Sequence, residues 1–238
     1  MRRIALLAVL LLALLVTTTT PTRLAESIDA DILGYTPRGL AIEHTFLVSS
    51  IVTRWDPCTP IGWRINTLQA RRGALSDTQA AFWRLGQITG FTFRYRGHTA
   101  LIPQWDGNER YPADTQIVVA WIRQGQSSLF DTLHTASGVG LPHYLTGYHD
   151  TAGITAWRID SGGVVIDKRV WLRGGFGWGL TRGDLLLHEL GHVMGLGHYP
   201  STDEAMNPVI TRGPARYGRG DIAGLEERGA RLGCLYAD

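Results

Sequence analysis

The sequence predicts one α/β domain, and three observations carry that prediction. Strand and helix patterns follow in the order strand, helix, several strands, two helices, the layout of helices packed on a sheet. Residues 116–122 hold a solid Ile-Val-Val-Ala-Trp run bounded by polar residues, as in a strand buried on both faces, whereas Phe91-Thr92-Phe93-Arg94-Tyr95 alternates as a half-buried strand does. The 238 residues are 44% hydrophobic and 18% charged, which excludes a disordered or low-complexity chain and leaves length for one sizeable core.

The chain opens outside that domain. Met1-Arg2-Arg3, an apolar run over residues 4–16 and a polar exit ending in Pro21 have the layout of a secretory signal peptide, placed at residues 1–25. The run falls short of the ~20 residues a spanning helix needs. The expected location is therefore extracellular, with retention on the membrane by an uncleaved leader as the alternative. Loss of Arg2, Arg3 and Arg23 with the leader leaves 20 basic against 21 acidic residues, so no footprint for nucleic acid remains. Residues 26–45 lack periodicity and read as a linker or short pro-segment, and residues 46–238 form the domain. Outside the cell Cys58 and Cys234, near the two ends of the mature chain, pair as a disulfide, the alternative being two separate buried thiols.

Within the domain, residues 61–65 follow a Pro-rich turn as a first strand. Ser76-Asp77-Thr78-Gln79 has the capping-box pattern. Ala81, Phe82, Leu85 and Ile88 recur behind it at helical spacing, and Gly90 ends the helix. After the strands at 91–95 and 116–122, residues 139–141 read as a short edge strand and 163–167 as a further strand. Thr181-Arg182-Gly183-Asp184 is a second cap, opening a helix over 185–194. Asp221 opens the last helix, with Ile222, Leu225 and Leu232 on one face and Gly233 at its end. The Gly-rich stretch 173–179 lacks the Lys-Ser/Thr of a phosphate loop and reads as a flexible surface connection.

The chemistry is concentrated in residues 188–208. His188 and His192 lie four apart on a helix, so both imidazoles face one ion. Gly195 lets the helix stop, and His198 swings back beyond it as a third ligand. Three neutral imidazoles leave one tetrahedral position open, the arrangement of a catalytic zinc, and the neighbouring Glu189 favours zinc over nickel, iron or cobalt. Zinc lowers the pKa of a water towards about 7, and Glu189 takes that water's proton and returns it to a leaving amine.

His-Glu-x-x-His-x-x-Gly-x-x-His is the zinc signature of the metzincin metallopeptidases, which this segment resembles. Ala205-Met206-Asn207-Pro208 is similar to the methionine turn of the matrixins, with Met206 eight positions after His198. The stretch around Tyr217, Asp221 and Leu225 and the motif Arg54-Trp55-Asp56-Pro57-Cys58 also resemble matrixin-type proteins secreted by bacteria. The resemblance implies a twisted five-stranded mixed sheet with one antiparallel edge strand, plus three main helices. It further implies a protein or peptide substrate bound in extended form along that edge, near residues 139–141. Pro208, Val209 and Ile210 would wall an apolar pocket for the residue after the cut, and Met206 would support the site from below. The departures are Tyr199 and Ile210, where the family has serine and often tyrosine, and the lack of an upstream Pro-Arg-Cys-Gly latency motif.

Matrixins also hold structural zinc and calcium. His134, His143 and His149 are the candidates for a second zinc, but their irregular spacing reads as loop histidines. Asp150, Asp160 and Asp167 are candidates for calcium (Ca2+) and read otherwise as turn caps. Tyr217 has two readings, oxyanion stabiliser or packing residue, of which packing is preferred. The expected protein is a monomeric, secreted zinc (Zn2+) metalloendopeptidase that touches membranes only through its leader during export. The alternative is a secreted binding module whose zinc is purely structural.

Overall fold

A computed structural model of the chain describes residues 33–105, 110–131, 136–211 and 213–238. The leader, the start of the segment after it and His134 lie outside the described residues. The frame is a mixed sheet of β2 (Val52–Trp55), β3 (Ile61–Asn66), β4 (Phe93–His98), β5 (Ile117–Ile122), β6 (Gly138–His149), β7 (Thr155–Asp167) and β9 (Tyr236–Ala237). The spatial order is β4-β3-β5-β7-β6-β9, with β2 on the first half of β7. β2, β3, β4, β5 and β7 run parallel, and β6 is antiparallel to β7. Two further strands, β1 (Thr45–Phe46) and β8 (Leu196–Gly197), pair antiparallel as a separate ribbon. Among the described residues three helices complete the domain: α1 (Ala74–Thr89), α2 (Arg182–Val193) and α3 (Arg219–Glu227).

The α+β class and the antiparallel strand agree with the sequence, but the main sheet has seven strands rather than five. The additions are short. Val52-Thr53-Arg54-Trp55 and Tyr236-Ala237 carry no apolar run or strict alternation long enough to mark a strand. The predicted three-residue edge at 139–141 is the start of a twelve-residue strand. Its outer half contains Pro142, Gly147 and register shifts after His143 and Leu145, which erase the strand signal. Among the described residues β6 pairs beyond β7 only at Tyr148 and His149, with β9, so residues 138–145 have no described strand on that side.

Alternation along β5 separates two layers of core. Ile117, Val119 and Trp121 join the main cluster with Phe82 and Leu85 of α1, Leu186, Leu187 and Leu190 of α2, and Ile222 and Leu225 of α3. Ala120 and Ile122 join Leu129, Phe130, Val139 and Val165 on the opposite face. Each such fully buried aliphatic side chain contributes about 1.5–3 kcal/mol.

The helix ends show where local signals yield to packing. α1 begins at Ala74 behind Gly73, two residues before the predicted cap; Ser76 Oγ donates to the Gly73 carbonyl, 2.9 Å. Asp77 is taken instead by Arg182, whose Nε lies 2.7 Å from the carboxylate in a buried ion pair joining the starts of α1 and α2. At α2 the prediction holds: Asp184 N–H donates to Thr181 Oγ1 (3.1 Å) and Thr181 N–H to the Asp184 carboxylate (2.9 Å). α3 starts at Arg219 rather than Asp221, and Leu232 lies beyond it in a 3-10 turn, 40% exposed. The Gly-rich stretch is tied down, because the Arg173 and Gly175 carbonyls accept the amides of Arg182 and Gly183.

Residues 33–45 also pack on the domain. Leu33 is buried in the main cluster, and Tyr35 donates its hydroxyl to the Tyr217 carbonyl, 3.1 Å. Among the described residues no helix is long and apolar enough to cross a membrane.

Candidate metal centre

α2 is buried almost along its length, so its two histidines need polar partners inside the protein. His188 Nδ1 donates to the Ala205 carbonyl at 2.7 Å, and His192 Nδ1 donates to the Leu196 carbonyl at 2.8 Å. With both protons fixed on Nδ1, both Nε2 lone pairs point outward from the helix. Gly195, at φ 99°, breaks the helix in the left-handed region open to glycine, and the chain turns through β8 to His198. His198 Nε2 then lies 3.1 Å from Nε2 of His188 and 3.1 Å from Nε2 of His192.

Three lone-pair nitrogens at this separation repel one another unless a cation lies between them. Nitrogens held tetrahedrally at the usual zinc distance would be about 3.3 Å apart, so the donor set fits a metal ion. Burial pushes His188 down to about 4 and His192 to about 3, with His188 adding to the effect at His192; His198 is also lowered by burial. All three rings are thus neutral at neutral pH, the form that ligates. The three ligand atoms lie within 4.8 Å of one another.

Glu189 projects beside them and is buried. Burial raises its carboxyl to about 8, opposed by a hydrogen bond from the Gly140 backbone. That amide belongs to the open-edged half of β6, which crosses directly over α2. A Cβ on Gly138 would stand 3.0 Å from Glu189 Oε1, and one on Gly140 would collide with the Glu189 backbone. These two glycines, which let β6 pass close to Glu189, are positions the sequence reading missed. Their signal was present as Gly-x-Gly within a strand, the mark of close backbone approach.

Met206 lies beneath the site at 1% exposure, its Sδ occupying the space a side chain on Gly191 would need. Its turn is held from below by Asp221, whose carboxylate accepts the amides of Ala205, Met206 (3.2 Å) and Gly218 (2.9 Å). Glu204, a second buried carboxyl, accepts the amides of Gly220 (3.1 Å) and Asp221 (2.7 Å). Burial raises both acids, Glu204 to about 8 and Asp221 to about 6, and at Glu204 the charge of Asp221 adds to the rise. No sequence pattern marked Glu204, because a carboxylate in a loop ordinarily faces water.

The remaining candidates separate. Val209 and Ile210 border a cavity shared with Arg38, Asp184, Glu204 and Arg216, so its wall is mixed rather than apolar; Pro208 is exposed and outside it. His143 and His149 do not converge, since they meet different carboxylates, Asp160 at 2.9 Å and Asp238 at 3.0 Å. Asp150 accepts the amides of Ala152 and Ile154 as a turn cap, and Asp167 is bound to Arg169. The three aspartates named for calcium therefore form no common site. Tyr217 is a packing residue, donating its buried hydroxyl to the Leu187 carbonyl at 2.8 Å. Cys58 and Cys234 are joined as a disulfide, Cα–Cα 5.4 Å. No family model matches the chain, and no curated protein sequence matches it.

Proposed function

We propose that the chain is a secreted, zinc-dependent metalloendopeptidase of the matrixin-like metzincin type. The observation that carries the reading is the convergence of three neutral Nε2 atoms beside a buried carboxyl that is not itself one of the three. His188, His192 and His198 would hold the ion. Zinc there supplies Lewis acidity, polarising a substrate carbonyl and lowering the pKa of a water to about 7.

The protein's own groups supply the rest. With the charge of the ion drawing the raised carboxyl back to its ionised form, Glu189 Oε would receive the proton of the attacking water and deliver it to the departing amine, and burial keeps bulk water from exchanging that proton. The Gly140 amide fixes the carboxylate. The open edge of β6 offers backbone donors and acceptors to an extended peptide, which would add as a further strand across the site. Val209 and Ile210, with the charged groups beside them, would select the side chain following the cut.

The test is hydrolysis of casein by the purified mature protein. Activity should track about one zinc per chain, vanish with chelator and return with zinc. Glu189→Ala should lower the rate by about 10²–10⁴ while retaining the metal. A folded, zinc-loaded wild type that cuts neither casein nor a peptide library would overturn the peptidase reading in favour of structural zinc.

A further inference from the structure

His198 differs from the other two imidazoles. It does not belong to α2, it is the most exposed of the three, and among the described residues no hydrogen bond reaches its Nδ1. Its position is therefore set by its backbone, and that backbone is held by a segment more than 150 residues earlier in the chain.

β1 pairs with β8 in the register Thr45↔Gly197 and Phe46↔Leu196. The Leu47 amide donates to the Gly195 carbonyl at 2.9 Å, and Thr45 Oγ1 donates to the carbonyl of His198 itself at 2.9 Å. The approach is so close that a Cβ on Gly197 would lie 2.6 Å from Thr45 Oγ1 and 3.1 Å from the Phe46 carbonyl oxygen. The paired strand also carries the Leu196 carbonyl that orients His192. One short ribbon thus touches the supports of two ligands.

The ribbon is anchored at its other end. Besides the burial of Leu33 and the Tyr35 hydrogen bond, the Arg219 amide donates to the Arg38 carbonyl at 2.6 Å. Gly220 is pressed against the Glu43 backbone, and the Arg228 guanidinium lies 3.9 Å from the centre of the Phe46 ring. Residues 33–47 therefore connect α3 to the loop of the third ligand.

We propose that residues 33–47 are a permanent strap that sets the third metal ligand, with Thr45 as a positioning residue for His198, and not a segment removed on maturation. The proposal rests on the metal reading of the three histidines. It places the start of the mature protein at or before Leu33, and it makes metal affinity depend on a segment that has no ligand in it.

The test uses the full exported chain with zinc and cobalt as probes. Zinc affinity is read by competition with a chromophoric chelator, and ligand geometry by the visible absorption of the cobalt form. Thr45→Val keeps the side-chain shape and removes the donor; Leu47→Pro removes the amide that holds Gly195. Each should weaken zinc about tenfold or more, the range for groups that orient ligands, and alter the cobalt spectrum. Thr45→Ser should restore both to wild-type values. The metal-free Thr45→Val protein should unfold at the wild-type temperature, which separates lost positioning from lost folding. Wild-type affinity and spectrum in both Thr45→Val and Leu47→Pro overturn the strap, as does a mature chain that begins after residue 47 and binds zinc fully. A wild type that binds neither zinc nor cobalt overturns the metal reading, and the strap with it.

Discussion

The absence of a side chain at Gly191 is as necessary to the site as the presence of those at 188 and 192. Met206 Sδ occupies the space beneath α2 that any Cβ at 191 would need, so the turn bearing Ala205 can come up close enough to accept the proton of His188. Gly191→Ala should displace Met206, at the ~1–3 kcal/mol typical of overpacking. For a chain of this size that lowers the unfolding midpoint by about 2–12 °C, and the loss of affinity for a metal ion should exceed what the wild type shows at matched stability. The same turn rests on the Glu204–Asp221 pair, which gives it a pH dependence of definite sign. Both acids titrate higher folded than free, Glu204 at about 8 rather than 4.5 and Asp221 at about 6 rather than 3.8. Between those limits the folded state holds more protons than the unfolded one, so stability falls as pH rises. The pair alone should lower the unfolding midpoint of chelator-treated protein by about 6–12 °C between pH 6 and pH 9. Glu204→Gln, which cannot ionise, should make that dependence shallower but not flat, because the buried Glu189 carboxyl is also raised to about 8, and an equally steep curve in the variant would place the titrating groups elsewhere.

At the scale of elements, the ion pair Asp77–Arg182 shows how a tertiary contact displaces a local one. Sequence spacing assigned Asp77 to the interior of a capping box, yet its carboxylate closes the gap between two helix starts. Breaking such a buried pair by removing one partner costs about 3–5 kcal/mol. Asp77→Ala should therefore lower the midpoint by about 6–20 °C, whereas replacing both residues with apolar ones of similar size should recover most of it. Thermal melts of the single and double variants measure the difference. The pair also marks the limit of what was legible beforehand. α2, its Thr181 cap and the three histidines were readable because their signals are local: spacing on one helix, a cap at its start, a glycine at its end. The buried strand β5 was readable from its unbroken apolar run. β9 and the outer half of β6 were not, because each is stabilised by pairing to a neighbour rather than by its own side chains, and β2 was not, because the polar Thr53 and Arg54 are buried there beside Trp55. Gly140, Glu204 and Thr45 escaped for a related reason, since each acts on the site through a backbone group distant in sequence.

Across the whole molecule, two long-range ties bring the ends of the described chain together. One is the strap, which joins residues 33–47 to α3 and the ligand loop. The other is the Cys58–Cys234 disulfide, whose halves are 176 positions apart in sequence. Around it, Asp56 Oδ1 accepts the amides of Cys58 (3.1 Å) and Leu235 (3.4 Å), and the buried Arg54 donates to the carbonyls of Gly233 (2.7 Å) and Cys234 (3.3 Å). The closing turn is thus held by hydrogen bonds as well as by the covalent link, and its native geometry should survive loss of the link. What the bond removes is freedom of the unfolded chain. A closed loop of this length stabilises the fold by about 5 kcal/mol in the chain-entropy account, equivalent to about 10–20 °C in the unfolding midpoint. Cys58→Ser combined with Cys234→Ser should fall by that amount in thermal melts yet leave any affinity of the three histidines for a metal ion unchanged at 25 °C, because neither sulfur approaches them. A reductant should shift the wild type by the same interval and leave the double variant unmoved. If affinity for zinc fell together with the midpoint, the closing turn would be coupled to the metal loop through β2, whose Trp55 donates its indole N–H to the Val193 carbonyl at the end of α2, and the two ties would be one mechanical unit.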